Sequence, residues 1–370
     1  MTGVDSKGEA SKAKRDPLFD VVKFLMMVWV VFLHVASWHL TEPGYVPCWL
    51  DNAMIGVNMP VFFVMAGCFA YSTFSKSSVA KLCARTICLI WPQIVLASFF
   101  AGLLLLCTGD FSSSGRILRT ILGFWYLKVF AVIYGLSWII FKLTRTDWQR
   151  WCVFVLVYVV LVFDPGSIRE GRVYCVFAPN LMHMLPYYVF GLLVLSRNQI
   201  FRNRWVTVGC GIVFISVSLF QGNSLENGMN FWVANTNWKD IVSIPSVCIT
   251  FFGRTIVGIA GSIALLGGVD ALLRVMPNFK RLAVFGTTSL GVYILHCSLL
   301  ALISQTITTT IFPGWSRMIV ALLLFMLCHM LVSFAKRCSL VWRIVFGDEN
   351  AVAGLIQRVR GMSRIICPKV

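Results

Sequence analysis

Residues 18–40 read LFDVVKFLMMVWVVFLHVASWHL, an apolar run broken by only a few polar side chains, chiefly Asp20, Lys23, His34 and His39. A helix needs roughly 20 predominantly apolar residues to cross the hydrocarbon core of a bilayer, so this stretch alone is long enough to span. It follows a basic segment, as the apolar part of a signal peptide would, yet it is too long for one. It is therefore expected to be retained as the first membrane span.

Outward from this run the composition stays the same. The 370 residues are 58% hydrophobic and 13% charged, with a mean hydropathy of +0.80. A water-soluble exterior is incompatible with so few charges. Apolar runs separated by polar or Gly/Pro punctuation fall near 18–40, 53–74, 86–108, 120–141, 149–163, 177–195, 205–220, 248–269, 282–304 and 316–335, the fifth and seventh being short. The expectation is an all-α, multi-pass integral membrane protein with about ten transmembrane helices. A polar tail (1–16) precedes the bundle (17–335), and a basic tail (336–370) with an amphipathic helix beginning near Gly347-Asp348-Glu349-Asn350 follows it.

The net charge of +17, from 32 Lys and Arg against 15 Asp and Glu, would suggest a nucleic-acid partner in a soluble protein. Position argues otherwise. Lys76, Lys81 and Arg85, then Lys142, Arg145 and Arg150, then Arg197, Arg202 and Arg204, then Arg274, Lys280 and Arg281 cluster in alternate connections. That pattern places both termini and these loops on the cytoplasmic side, so the charge reads as topology, with lipid rather than nucleic acid as the partner. The 13 cysteines contain no Cys-x-x-Cys pair, so their spacing indicates neither a metal site nor a disulfide framework. Cys48 and Cys175 fall in connections on the outer side, where they could pair. The longest outer connection, 221–247, is rich in Asn and carries Trp232 and Trp238.

Polar residues at membrane depth are expensive and usually face the bundle interior. Lys23 and His34 are eleven steps apart, which at 100° per residue puts them on one helix face, separated by roughly 16 Å. Such a stripe suits an anionic substrate entering from the cytoplasm, with the cation at the mouth and the imidazole deeper in; snorkelling by Lys23 and a structural His34 are the plainer alternatives. His296 falls at a similar depth to His34. Asn58, Lys128, His183 and Arg254 lie in the outer halves of their spans and are expected to line a pocket opening outward. His329, near the inner end of the last run, reads as structural.

The segment RDPLFDVVKFLMMVWVVFLH (Arg15 to His34) resembles the opening motif of the membrane acyltransferase 3 family, in which ten residues separate a basic residue from a catalytic His. Lys23 replaces the usual Arg, a variation similar to the branch of fucose 4-O-acetylase-like and surface-polysaccharide O-acetyltransferases. Further elements follow in the family's order: NMPVFFVMAG (58–67), Arg85 with Trp91-Pro92, FWYL (124–127), LPYYVFG (185–191) and SLGVYILH (289–296). The resemblance implies transfer of an acyl group, usually acetyl, from cytoplasmic acyl-CoA as co-substrate to a hydroxyl of a cell-surface or lipid-linked glycan, with no bound cofactor or metal. It implies His34 as general base or covalent acyl carrier, Lys23 and Arg85 as anchors for the CoA phosphates, and His296, Tyr293 or Asn58 as donors to a tetrahedral oxyanion. Lys128, His183 and Arg254 would then face the acceptor. A proton-coupled secondary transporter is the competing reading, weakened by the lack of an internal repeat and of intramembrane carboxylates beyond Asp20; a scaffold or receptor without chemistry is the third.

Overall fold

The computed structural model describes residues 16–37, 48–163, 174–224, 244–306 and 312–366. Among them the chain is helical: α1 (Pro17–Ser37), α2 (Cys48–Lys76), α3 (Val79–Thr108), α4 (Phe111–Gly123), α5 (Trp125–Leu143), α6 (Asp147–Phe163), α7 (Tyr174–Phe190), α8 (Arg204–Ser224), α9 (Ile244–Val275), α10 (Ala283–Gly286), α11 (Ser289–Thr306), α12 (Arg317–Arg337), α13 (Ser339–Phe346) and α14 (Glu349–Ile366). The described part of each expected apolar run is largely helical, but 120–141 straddles the break between α4 and α5 and 282–304 that between α10 and α11. Six segments are long and apolar enough to cross a membrane: Pro17–Val35, Ala53–Lys76, Val79–Thr108, Phe111–Leu143, Gly253–Val275 and Gly314–Arg337. The pair Pro277–Gly286 and Ser289–Ile303, bent by 55°, makes a seventh if taken as one broken span, while Asn180–Leu195 and Arg204–Leu219 are apolar but shorter. The polar tail up to residue 15, the side chains of Cys48 and Cys175, and most of the 221–247 connection lie outside the described residues.

Two thirds of the apolar windows of α1 and α2 are buried (67%), against 33% for α3 and for the last span, so α1 and α2 form the centre of the bundle. The start of α1 is set locally. Asp16 Oδ1 accepts the Leu18 N–H at 3.0 Å, and Pro17 takes the first helical position, where its missing N–H is no loss. The helix is described as far as Ser37, which puts His34 in its last described turn.

Backbone contact holds α2 to α7. A Cβ on Gly67 would overlap the Tyr188 carbonyl oxygen, and one on Gly191 would overlap that of Val64. Small residues permit this approach, and in lipid, where no hydrophobic force drives helices together, close packing supplies the attraction. Gly286 of α10 meets the backbone of Asp20 in the same way, seating the bent pair against α1.

Helix breaks inside the apolar region need partners for the freed carbonyls. At the α4–α5 break, buried Gln93 donates to the carbonyls of Ile121 (2.6 Å) and Phe124 (3.3 Å), and Lys128 Nζ donates to Leu122 O (2.7 Å). At the α10–α11 break, the Thr287 hydroxyl donates to Val284 O (2.7 Å) and the Thr288 hydroxyl to Phe285 O (2.9 Å). Because that proton goes to a carbonyl, His329 Nδ1 is the donor in its 2.8 Å bond to Thr288 Oγ1, a structural role for this imidazole.

The segment past α12 packs on the bundle. Trp91 of α3 donates to Ile344 O at 2.8 Å, and Gly347 turns the chain at φ 76°, a left-handed conformation that glycine adopts without strain. Asp348 caps α14 by accepting the Asn350 and Ala351 N–H groups, so the expected amphipathic helix starts where its sequence signals. It packs along α3.

Candidate active site

The imidazoles of α1 and α11 meet. His34 Nδ1 lies 3.0 Å from His296 Nε2, and His296 Nδ1 lies 2.8 Å from the carbonyl oxygen of Val292, one turn earlier in α11. A carbonyl only accepts, so His296 carries its proton on Nδ1 and, when neutral, presents a bare Nε2. That nitrogen accepts the Nδ1–H of His34. The neutral pair therefore has one arrangement, in which His34 Nε2 keeps its lone pair. His296 is fully buried and His34 half-buried.

Tyr293, one turn before Cys297 in α11, stands edge-on to His296 at 5.8 Å between ring centroids and tilts against Tyr126 of α5 at 5.0 Å. Both tyrosines line a cavity of about 250 Å³, together with Lys23, Met27, Met59 and Phe62. Of the helical stripe expected from sequence, Lys23 and Met27 line this cavity, whereas His34 is not among its lining residues. Lys23 is only partly committed to it, since its Nζ also pairs with buried Asp20 at 3.1 Å. Asn58 Oδ1 accepts the N–H of Met59 at 2.6 Å, one residue from the cavity wall.

A second cleft of about 600 Å³ shares Leu290 with the first and is lined by Arg85, Thr287, Lys336, Trp342, Arg343 and Glu349, among others. Arg85 does not stand alone there. Its Nε pairs with Glu349 at 3.1 Å and its Nη1 donates to the Tyr134 hydroxyl at 3.4 Å.

The expected outer cluster is brought together only in part. Arg254 Nη1 lies 3.1 Å from His183 Nε2; a guanidinium only donates, so His183 accepts there and carries its proton on Nδ1 when neutral. Tyr187 donates to Arg254 O at 2.9 Å, tying α7 to α9 beside the pair. Lys128 is drawn to the α4–α5 break instead.

Two contributors escape the sequence reading. Arg317, at the start of α12, is buried (5% exposed), donates Nε to Phe32 O at 2.9 Å and stacks on the Phe32 ring at 4.0 Å, bracing α1 two residues before His34. In sequence it is indistinguishable from an outer loop anchor, its only signal being a charge at the edge of an apolar run. Cys297 puts its sulfur 3.4 Å from His296 Nε2, and no spacing motif marks it.

The acyltransferase 3 family model, described as an acyltransferase domain, matches residues 17–335. The match covers α1 to α12 almost completely and ends before the Lys336–Glu349 wall of the second cleft. No curated protein and no solved structure matches the chain significantly.

Proposed function

The chain belongs to the acyltransferase 3 family, and from that premise we propose that it is a membrane O-acyltransferase that moves an acyl group, acetyl in the simplest case, from cytoplasmic acyl-CoA to a hydroxyl of a cell-surface or lipid-linked glycan. In this reading the chain crosses the membrane ten times with both ends in the cytoplasm. The observation that carries it is the chain of bonds from Val292 O through His296 to His34, which leaves His34 Nε2 as a base.

The step follows from that lone pair. The acceptor hydroxyl gives its proton to His34 Nε2 while its oxygen adds to the thioester carbonyl carbon. The resulting oxyanion takes a hydrogen bond from Tyr293 or Asn58, because both nitrogens of His296 are already engaged. Collapse re-forms the carbonyl and breaks the carbon–sulfur bond, and the departing CoA thiolate takes the proton from His34. His296 holds the imidazole tautomer throughout. Arg254 with His183 serves the acceptor side.

The donor's anionic end belongs in the second cleft, where Arg85, Lys336 and Arg343 converge, and its arm passes Lys23 toward Tyr293. Glu349 competes for Arg85. Glu349→Gln is therefore expected to lower the KM for acyl-CoA by about threefold to tenfold with kcat little changed, as removal of one charged competitor would. Steady-state kinetics at saturating acceptor reads this directly; an unchanged or raised KM removes Arg85 from donor binding. Lys23→Met is expected to raise the donor KM by about tenfold, with Lys23→Arg recovering most of the loss, since the charge and not its shape is used.

The test of the function itself is acyl transfer by the purified protein in liposomes. CoA thiol release from radiolabelled acetyl-CoA should depend on added glycan acceptor, with label recovered in the glycan. Accumulation of a labelled solute in the lumen without any thiol release would replace this reading by the transporter.

A further inference from the structure

Three soft donor atoms converge at the junction of α1 and α11: His34 Nδ1, His296 Nε2 and Cys297 Sγ, all within 4.8 Å of one another. Two of the separations are 3.0 Å (Nδ1 to Nε2) and 3.4 Å (Sγ to Nε2). In a tetrahedral centre with metal–nitrogen bonds near 2.0 Å and metal–sulfur bonds near 2.3 Å, the ligand atoms stand about 3.3 Å (nitrogen to nitrogen) and about 3.5 Å (nitrogen to sulfur) apart. These two separations need to open by only a few tenths of an ångström to admit an ion, while the third, between His34 Nδ1 and Cys297 Sγ and within 4.8 Å, settles to about 3.5 Å. Neighbouring positions 296 and 297 on one helix, met by a single side chain from another, give a ligand set that no linear motif displays.

From this geometry we propose that His34, His296 and Cys297 form an inhibitory site for a zinc-type divalent metal ion, with the fourth position left to water. Two imidazoles and a thiolate are the ligand types that such an ion prefers over harder cations. The proton balance is explicit. The ion takes the place of the proton shared between the imidazoles, so His34 binds it through Nδ1 and carries its one proton on Nε2, while the Cys297 thiol gives its proton to solvent. One proton is released for each ion bound. His34 Nε2, now protonated, has no lone pair for the acceptor hydroxyl. Inhibition therefore rests on the role of His34 proposed above; the metal centre itself does not.

The experiment separates the two. Purified protein in detergent is titrated with Co²⁺, the probe whose tetrahedral ligand-field bands and thiolate charge-transfer band report sulfur coordination. About one equivalent should saturate both bands in the wild type, and Cys297→Ala and His296→Ala should each lose the charge-transfer band. In the transfer assay, Zn²⁺ should inhibit the wild type, and the inhibiting concentration for Cys297→Ala, scaled to its own uninhibited rate, should rise by at least about tenfold. Melting curves confirm that each variant is folded, and Cys297→Ser serves if the alanine variant is not. Absence of the band in the wild type, or its persistence in both cysteine variants, overturns the site. A band that obeys these substitutions together with Zn²⁺-insensitive transfer keeps the metal centre, but overturns the proposed inhibition and with it His34 as base.

Discussion

His34→Ala is expected to reduce acyl transfer by about a thousandfold while leaving the protein folded, because a positioned general base contributes roughly 10²–10⁴ in rate. The imidazole is half-buried at the end of α1. Its loss removes one hydrogen bond to His296 but no part of the α2–α7 contact that fixes the centre of the bundle. Size-exclusion profile and melting temperature should remain near wild type, and glycan-dependent thiol release should fall to background. His296→Gln provides the internal comparison. It keeps a side chain of similar reach but loses the rigid ring held by Val292 O, so His34 can rotate or bind its proton on the wrong nitrogen. A loss of about tenfold to a hundredfold, smaller than that of His34→Ala, is the expected result. Equal activity of His34→Ala and wild type would end the mechanism proposed here.

The largest effect on stability is expected at the α2–α7 crossing. Gly67→Ala places a methyl group onto the Tyr188 carbonyl oxygen and 2.8 Å from the Leu192 nitrogen; Gly191→Ala places one onto Val64 O. These neighbours are backbone atoms that no rotamer change can move, so the helices must part. Overpacking in a close-packed interior costs about 1–3 kcal/mol or more per site, and separation of two central helices should put this crossing at or above the upper end. Either variant should lose most of its monodisperse peak on fluorescence-detected size exclusion. Gly135→Ala is the control. A Cβ there meets nothing within 4 Å, so the substitution should be neutral or gain about 1 kcal/mol from helix propensity. If Gly67→Ala melts together with Gly135→Ala, the crossing is not the constraint described.

What was legible in sequence follows what covalent structure alone determines. Apolar length marks helices because a bilayer sets it, and the angle between Lys23 and His34 follows from 3.6 residues per turn. The break between α10 and α11 was not visible, because Thr287 and Thr288 belong to an unbroken run of moderate hydropathy, and only Gly286 against Asp20 forces the bend. Nor was the pairing of His34 with His296, 262 residues apart, more than a shared depth. The pairing of Arg85 with Glu349 was equally hidden, because Glu349 lies in a distant tail. Lys128 looked like a pocket cation because the carbonyl it serves exists only once the α4–α5 break is known. Long-range partners decide all four, and composition and periodicity do not encode them.

If the proposed reaction holds, the apolar wall formed by Met27, Met59, Phe62 and Met65 also bears on which reactant enters the cavity. Each sugar hydroxyl carried into such a passage without a partner would forfeit about 2–7 kcal/mol of hydration, whereas a neutral acyl thioester on a slender arm forfeits far less. Under the proposed reaction the cavity would act as a polarity sieve, open to a small greasy acyl group and costly for a hydroxylated one.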